Sequence, residues 1–218
     1  MSLSVIPASF RWRPVLLASL TISVGQFSIG LVFPSLPWIA QDFAITADQA
    51  QLLISAYLLG FGPSQFFYGP ISDSLGRRNV LLSALVLALI GLLVAVLASG
   101  SFTGLVVGRF IQGLGTGCCA VLARASTRDS YSGEQLPTAL SYVTMVASFT
   151  PIFAPVIGGF INHQFGWVAI FISLTFYVVF IWLMLFFLFA ETMKNRKPLP
   201  KWGESIRGYG TLLKSRYF

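Results

Sequence analysis

Charge is scarce in this chain. Only 10% of its 218 residues are Asp, Glu, Lys or Arg, whereas a water-soluble domain carries about 25%, so an ordinary soluble fold is excluded. Histidine occurs once, as His163, and cysteine twice, as the neighbours Cys118 and Cys119. A lone His in a predicted turn leaves no Ser–His dyad within a bilayer, which removes an intramembrane protease, and no enzyme is expected. Adjacent cysteines cannot make a CxxC metal site; packing is their expected role, and neither a metal nor a cofactor is expected. No Asp or Glu lies deep in a predicted helix. Apolar residues fill the composition instead: 56% are hydrophobic, 20 are Phe, and the mean hydropathy is +0.79. The solvent for most of this chain is lipid.

The few charges divide the chain into spans. Charge-free runs cover 14–41, 49–72, 79–108, 110–123 and 135–190, and a spanning helix needs about 20 apolar residues. The polar break Ser99-Gly100-Ser101 is a better turn than the lone Arg109, and Asn162-His163-Gln164-Phe165-Gly166 divides the last run. The expected fold class is therefore an all-α membrane protein of six transmembrane helices, at about 15–39, 49–72, 79–98, 102–124, 137–161 and 167–190. The domain division is a six-helix bundle over 1–192 and a solvated linker over 193–218, rich in bases and prolines and stopping before a seventh helix.

Thirteen of the 14 basic residues fall on one side of these spans, Arg109 lies inside one, and the opposite loops carry only Asp42 and Asp48. Cytoplasmic loops collect Lys and Arg, so both termini are expected in the cytoplasm and the net charge of +7 reflects topology. No basic face recurs outside these loops, so nucleic acid is not an expected partner. A channel would need a polar stripe or charged ring, and only Arg109 with Gln112 hints at one.

The most specific signal follows the second span. Gly69-Pro70-Ile71-Ser72-Asp73-Ser74-Leu75-Gly76-Arg77-Arg78 has the spacing GxxxDxxGRR. Gly69 and Asp73 share a helical face; the glycine lets another helix approach, and Asp73 is placed to meet that helix's positive N-terminus. Gly76 permits the tight turn, and Arg77 and Arg78 anchor the loop. Asp129, at the adjacent end of the fourth span, is expected to pair with Arg77. Arg109 is the only ionisable residue well inside a span, and its cost of about 2.5–3.5 kcal/mol at a helix centre predicts that it faces the bundle, with Gln112 as partner. Glycines 113, 115 and 117 follow it without a preceding strand, which argues for close helix packing rather than a nucleotide loop.

These pieces together resemble the major facilitator superfamily. The ten-residue stretch is similar to its loop 2–3 signature, Gly108-Arg109-Phe110-Ile111-Gln112-Gly113-Leu114-Gly115 to its RxxQGxG segment, and Pro155-Val156-Ile157-Gly158-Gly159 to the PxxGG end of its antiporter motif. Thr150 and Ala154 stand where that motif usually has Gly, which weakens the antiporter inference. Ala56-Tyr57-Leu58-Leu59, Ser64-Gln65-Phe66-Phe67-Tyr68, Leu122-Ala123-Arg124 and Arg128-Asp129-Ser130-Tyr131 look like the drug:proton antiporter branch, the Bcr/CflA and EmrD-like multidrug efflux carriers.

The resemblance implies the N-terminal half of a twelve-helix carrier in a bacterial inner membrane, exporting hydrophobic or amphipathic compounds by alternating access. Its implied partners are the lipid bilayer, a hydrophobic small molecule, protons, and a C-terminal half or second copy. Alternatives are a non-transporting truncated product or a facilitator importing a small solute. Gln26, Phe33, Tyr57 and Phe61 are the candidate substrate-cavity residues, with Gly30 on the same face; Arg109 and Gln112 are candidates for coupling; Gly69, Asp73, Gly76, Arg77, Arg78 and Asp129 form the candidate cytoplasmic gate; Pro155, Gly158 and Gly159 form the antiporter-like motif. Bcr/CflA-type relatives often place an acid on helix 1 where this chain has Gly30-Leu31-Val32-Phe33-Pro34. A proton carrier would therefore be peripheral, such as Asp42 or Asp73, or lie in the other half. A lone half is expected to leave Gln26, Tyr57 and Arg109 facing lipid, where unsatisfied polar groups are costly.

Overall fold

The computed structural model describes residues 10–193. Among them are α1 (Trp12–Gly30), a 3-10 turn (Phe33–Ser35), α2 (Leu36–Asp42), α3 (Ala47–Ala50), α4 (Leu52–Leu75), α5 (Arg77–Leu97), α6 (Phe102–Ser130), α7 (Gln135–Phe165) and α8 (Val168–Leu188). No strand occurs among the described residues, and the all-α class stands. Five segments are long and apolar enough to cross a membrane, α1 through α2 counting as one span, Trp12–Asp42. α4 has the length, at 24 residues, but Tyr57, Ser64, Gln65 and Tyr68 hold its hydropathy down, and it is not one of the five.

Several expected boundaries move for local reasons. The first span breaks near Pro34, which lacks the N–H that an α-helix needs; the 3-10 turn bridges the gap, and Ser35 Oγ donates to the Val32 carbonyl at 2.7 Å. α6 continues past 124 to Ser130, and the hydroxyls of Ser126, Thr127 and Ser130 donate back to its own carbonyls. The turn expected over 162–166 is mostly helix: α7 runs through Phe165 and stops at Gly166, whose φ of +79° suits glycine. The turn at 99–101 is where it was expected, with Ser101 Oγ accepting from Gly104 N at 3.3 Å to cap α6. α8 ends at Leu188, and Phe189 turns extended. The linker expected over 193–218 lies outside the described residues beyond Met193.

α6 is the hub, packed against α1, α4 and α5, with α8 against α5 and α7 against α1. Small residues make this possible. A Cβ on Gly113 would overlap the Tyr57 carbonyl oxygen of α4, and one on Gly115 would overlap the Ala88 backbone of α5. Lipid offers no hydrophobic drive between helices, so backbone approach and hydrogen bonds hold such bundles together.

Candidate functional site

The centre of the bundle contains a polar cluster built from α1, α4 and α6. Arg109 on α6 is fully buried, at 0% exposure. Its Nη1 donates to Gln112 Oε1 at 2.6 Å and its Nε to the Leu53 carbonyl at 3.4 Å. Gln112 Nε2 carries the chain onward to Ser28 Oγ of α1 at 3.1 Å. The guanidinium carbon stands 4.3 Å from the Tyr57 ring centroid, a cation–π contact strengthened by the burial of both groups. Tyr57 is itself at 0% exposure; its hydroxyl meets the Gly25 carbonyl at 3.1 Å and Thr116 Oγ1 at 2.7 Å. Arg109 Nη2 has no hydrogen-bond partner among the described residues.

This overturns one expectation. The bundle does not leave Tyr57 or Arg109 facing lipid: α1, α4 and α6 enclose both, because the glycines of α6 admit the neighbouring backbones. Gln26 is half-buried. Phe61 is half-buried too, stacked on Tyr57 with centroids 5.6 Å apart and planes 18° apart. Phe33 opens the 3-10 turn and is 49% exposed. The four candidate cavity residues therefore divide: Tyr57 lies in the core, while Gln26, Phe33 and Phe61 have surface free of the bundle.

A second cluster closes the basic end. Gly76, with φ +97°, separates α4 from α5. Arg77 Nη1 pairs with Asp73 Oδ1 at 2.6 Å and also meets Ser72 Oγ, and its Nε reaches Asp129 Oδ2 on α6 at 3.1 Å. The expected Arg77–Asp129 approach is thus present, with Asp73 on the same guanidinium. Gly69 remains loosely packed, since a Cβ there would meet only Val121, at 3.9 Å. Arg78 donates to the Phe186 carbonyl at 2.6 Å and lies 5.5 Å from that ring's centroid.

Sequence reasoning missed Glu191 and Thr192 in this cluster. Glu191 Oε1 accepts from Arg77 N at 2.9 Å and Oε2 from Arg78 N at 3.4 Å, satisfying orphan donors at the start of α5. Thr192 Oγ1 donates to Asp129 Oδ2 at 3.2 Å. The available signal was position: Glu191 is the sole acid between a 56-residue charge-free run and seven bases. Nearby, Tyr131 donates to the Arg11 carbonyl and stacks on Phe10 at 5.3 Å, and burial raises its phenol above the ordinary pKa. A cavity of about 380 Å³ opens here, lined by Arg11, Arg13, Ser126, Asp129, Leu188 and Glu191 among others; none of Gln26, Phe33, Tyr57 or Phe61 lines it.

The antiporter-like motif lies where α7 crosses α1. A Cβ on Gly158 would overlap the Leu31 carbonyl oxygen, and Ala154 packs on Gly30, whereas Gly159 has room, with Pro34 at 3.9 Å from an added Cβ. Pro155 is half-buried beside them. At the end opposite the arginines, Trp167 Nε1 donates to Asp42 Oδ2 at 2.5 Å. Cys118 and Cys119 are fully buried with free thiols, and no cluster of metal-ligating residues occurs among the described residues.

A helical bundle with five segments long and apolar enough to span a membrane, one arginine enclosed at its centre and a charge-paired turn at one end is the make-up of a polytopic membrane protein. The chain belongs to the major facilitator superfamily, whose family model matches residues 18–218. It is 38% identical over 160 residues to multidrug resistance protein D of Escherichia coli, covering 73% of this chain and 40% of that protein. It is 35% identical over 176 residues to a bicyclomycin resistance protein homolog of Haemophilus influenzae, covering 80% and 44%. A solved D-xylose–proton symporter shares the fold at TM-score 0.67 and 16% identity, over 92% of this chain and 51% of the symporter. The chain thus spans less than half the length of these two curated relatives.

Proposed function

We propose that this chain is the N-terminal half of a secondary active transporter that exports hydrophobic or amphipathic compounds by alternating access. The observation that carries this reading is the enclosed Arg109–Gln112–Ser28 and Tyr57–Thr116 cluster in a chain similar to two drug-resistance proteins. A buried guanidinium is expensive in lipid and is kept where a bundle uses it. Gln26, Phe33 and Phe61 form the substrate-facing wall, where aromatic and amide groups suit lipophilic compounds; Arg109 and Gln112 serve coupling; the Asp73–Arg77–Asp129 cluster favours the state closed at the basic end.

Export of this kind runs on proton antiport in the proposed scheme. No Asp or Glu among the described residues lies in the middle of a spanning helix, so the proton carrier is a peripheral carboxylate or belongs to another half. The excess of bases at one end supports cytoplasmic placement of that end, in a bacterial inner membrane. Transport requires a C-terminal half or a second copy, because two bundles must rock against each other.

The test reconstitutes the purified chain in liposomes and follows tetraphenylphosphonium, with crosslinking to count subunits. A demonstrated monomer should give no flux, and a dimer, or the chain with a C-terminal half, should export the cation against a proton gradient. Flux from the monomer overturns the need for a partner. Uptake in place of export favours a solute importer, and no flux under any condition favours a non-transporting product.

A further inference from the structure

Three flat groups lie one against the next between the proposed substrate wall and the core. The half-buried Phe61 ring stacks on Tyr57, and the other partner of the Tyr57 ring is the Arg109 guanidinium. Phe61 is confined from behind, since a Cβ on Gly25 would come within 3.0 Å of its Cε2. Tyr57 is confined at its tip, its hydroxyl held between the Gly25 carbonyl of α1 and Thr116 of α6. Arg109 then holds Gln112, which reaches Ser28 on α1. A shift of Phe61 has little room to dissipate before it reaches the guanidinium.

We infer that Tyr57 is the positioning residue through which a lipophilic ligand contacting Phe61 acts on Arg109. This rests on the reading of Phe61 as part of the substrate-facing wall, and it assigns Tyr57 a different role from the wall itself. The ring transmits, because its stacking on Phe61 and its cation–π contact both fall when the aromatic face is lost. The hydroxyl anchors, because it bonds two other helices. Arg109 has no carboxylate hydrogen-bonded to it among the described residues, so its orientation is set jointly by the Gln112 amide, the Leu53 carbonyl and the Tyr57 ring face.

The test needs no ligand, so it stands apart from whether the chain binds a drug. Cys118 and Cys119 are the chain's two cysteines and are buried on α6 just beyond Thr116; their labelling by N-ethylmaleimide in the full chain in nanodiscs reads opening of this core. Phe61→Leu and Arg109→Lys should each accelerate labelling. The double variant should fall short of the product of the two accelerations by about twofold or more, the signature of coupled residues. Tyr57→Phe should keep the shortfall, and Tyr57→Leu, or Tyr57→Met if that alone assembles, should abolish it. A purely structural Tyr57 would change the rates and leave the coupling intact. Accelerations that simply multiply in the Tyr57 chain, or a shortfall that persists without the ring, overturn the proposal. Gln112→Met, which removes the amide that holds Arg109, replaces Arg109→Lys under the same criteria if the lysine variant fails to assemble. Separately, tetraphenylphosphonium binding that is unaffected by Phe61→Leu would overturn the wall assignment while leaving the coupling result to stand.

Discussion

Two arginines anchor this bundle under opposite conditions. Arg77 sits at the basic end with two carboxylates, a serine and a helix N-terminus capped by Glu191. Arg109 sits at the centre with an amide, a carbonyl and a ring face. Arg77 is itself buried, but Asp73 and Asp129 keep 27% and 22% of their side-chain surface, so water and counter-ions reach this pairing and reduce its worth. In the core each neutral contact matters more, because no solvent replaces it. The same side chain is therefore a modest fastener in one place and a structural commitment in the other.

The largest expected effect that tests this contrast is steric and lies beside Arg109. Gly113→Leu would drive a side chain into the Tyr57 carbonyl, and overpacking of this kind costs about 1–3 kcal/mol or more. Thermal unfolding in detergent should show a lower midpoint or no assembled protein. An unchanged midpoint would mean that α4 and α6 are not as closely held as the contrast requires.

Arg109→Lys comes next. Lysine keeps the charge and loses the planar fork that serves Gln112, Leu53 and the Tyr57 face together. Loss of a hydrogen bond from a charged group costs about 1.5–3 kcal/mol, so the variant should unfold earlier and impair the flux proposed above. Wild-type behaviour on both measures would reduce Arg109 to a generic positive charge.

At the basic end the effects should be smaller. Glu191→Ala removes the acceptor for the first N–H groups of α5, with a cost of about 1 kcal/mol, as for other N-terminal caps. Hydrogen exchange at the amides of Arg77 and Arg78 should quicken while α6 amides stay protected; quickening across α6 would show that the two regions are one cooperative unit. Asp129→Asn should be the mildest, about 0–1 kcal/mol and weaker still at high salt, since Asp73 remains on Arg77. A cost as large as that of Arg109→Lys would erase the distinction between interface and core.

Much of the architecture was legible along the chain because lipid imposes a simple rule. Charge-free runs mark spans, and the turn at 99–101 and the helix break at Gly76 follow from residue chemistry. Boundaries failed where local hydrogen bonding competed with polarity: Asn162, His163 and Gln164 look like a turn, yet they stay helical until Gly166. α6 likewise outran its expected end because Ser126, Thr127 and Ser130 satisfy their hydroxyls on their own helix. The Arg109–Gln112 contact was readable from their spacing of three, one helical turn.

The sequence alone determined the solvent and the approximate placement of the long helices, since hydropathy and charge depend only on residue type. Only the tertiary structure decided that Tyr57 faces Arg109, that Ser28 completes the chain to α1, and that Glu191 caps a helix 114 residues away. These contacts join residues far apart in the chain. They depend on how closely α1, α4, α5, α6 and the end of α8 approach, and that distance is set by packing of small residues against backbone, which no single helix carries in its own pattern.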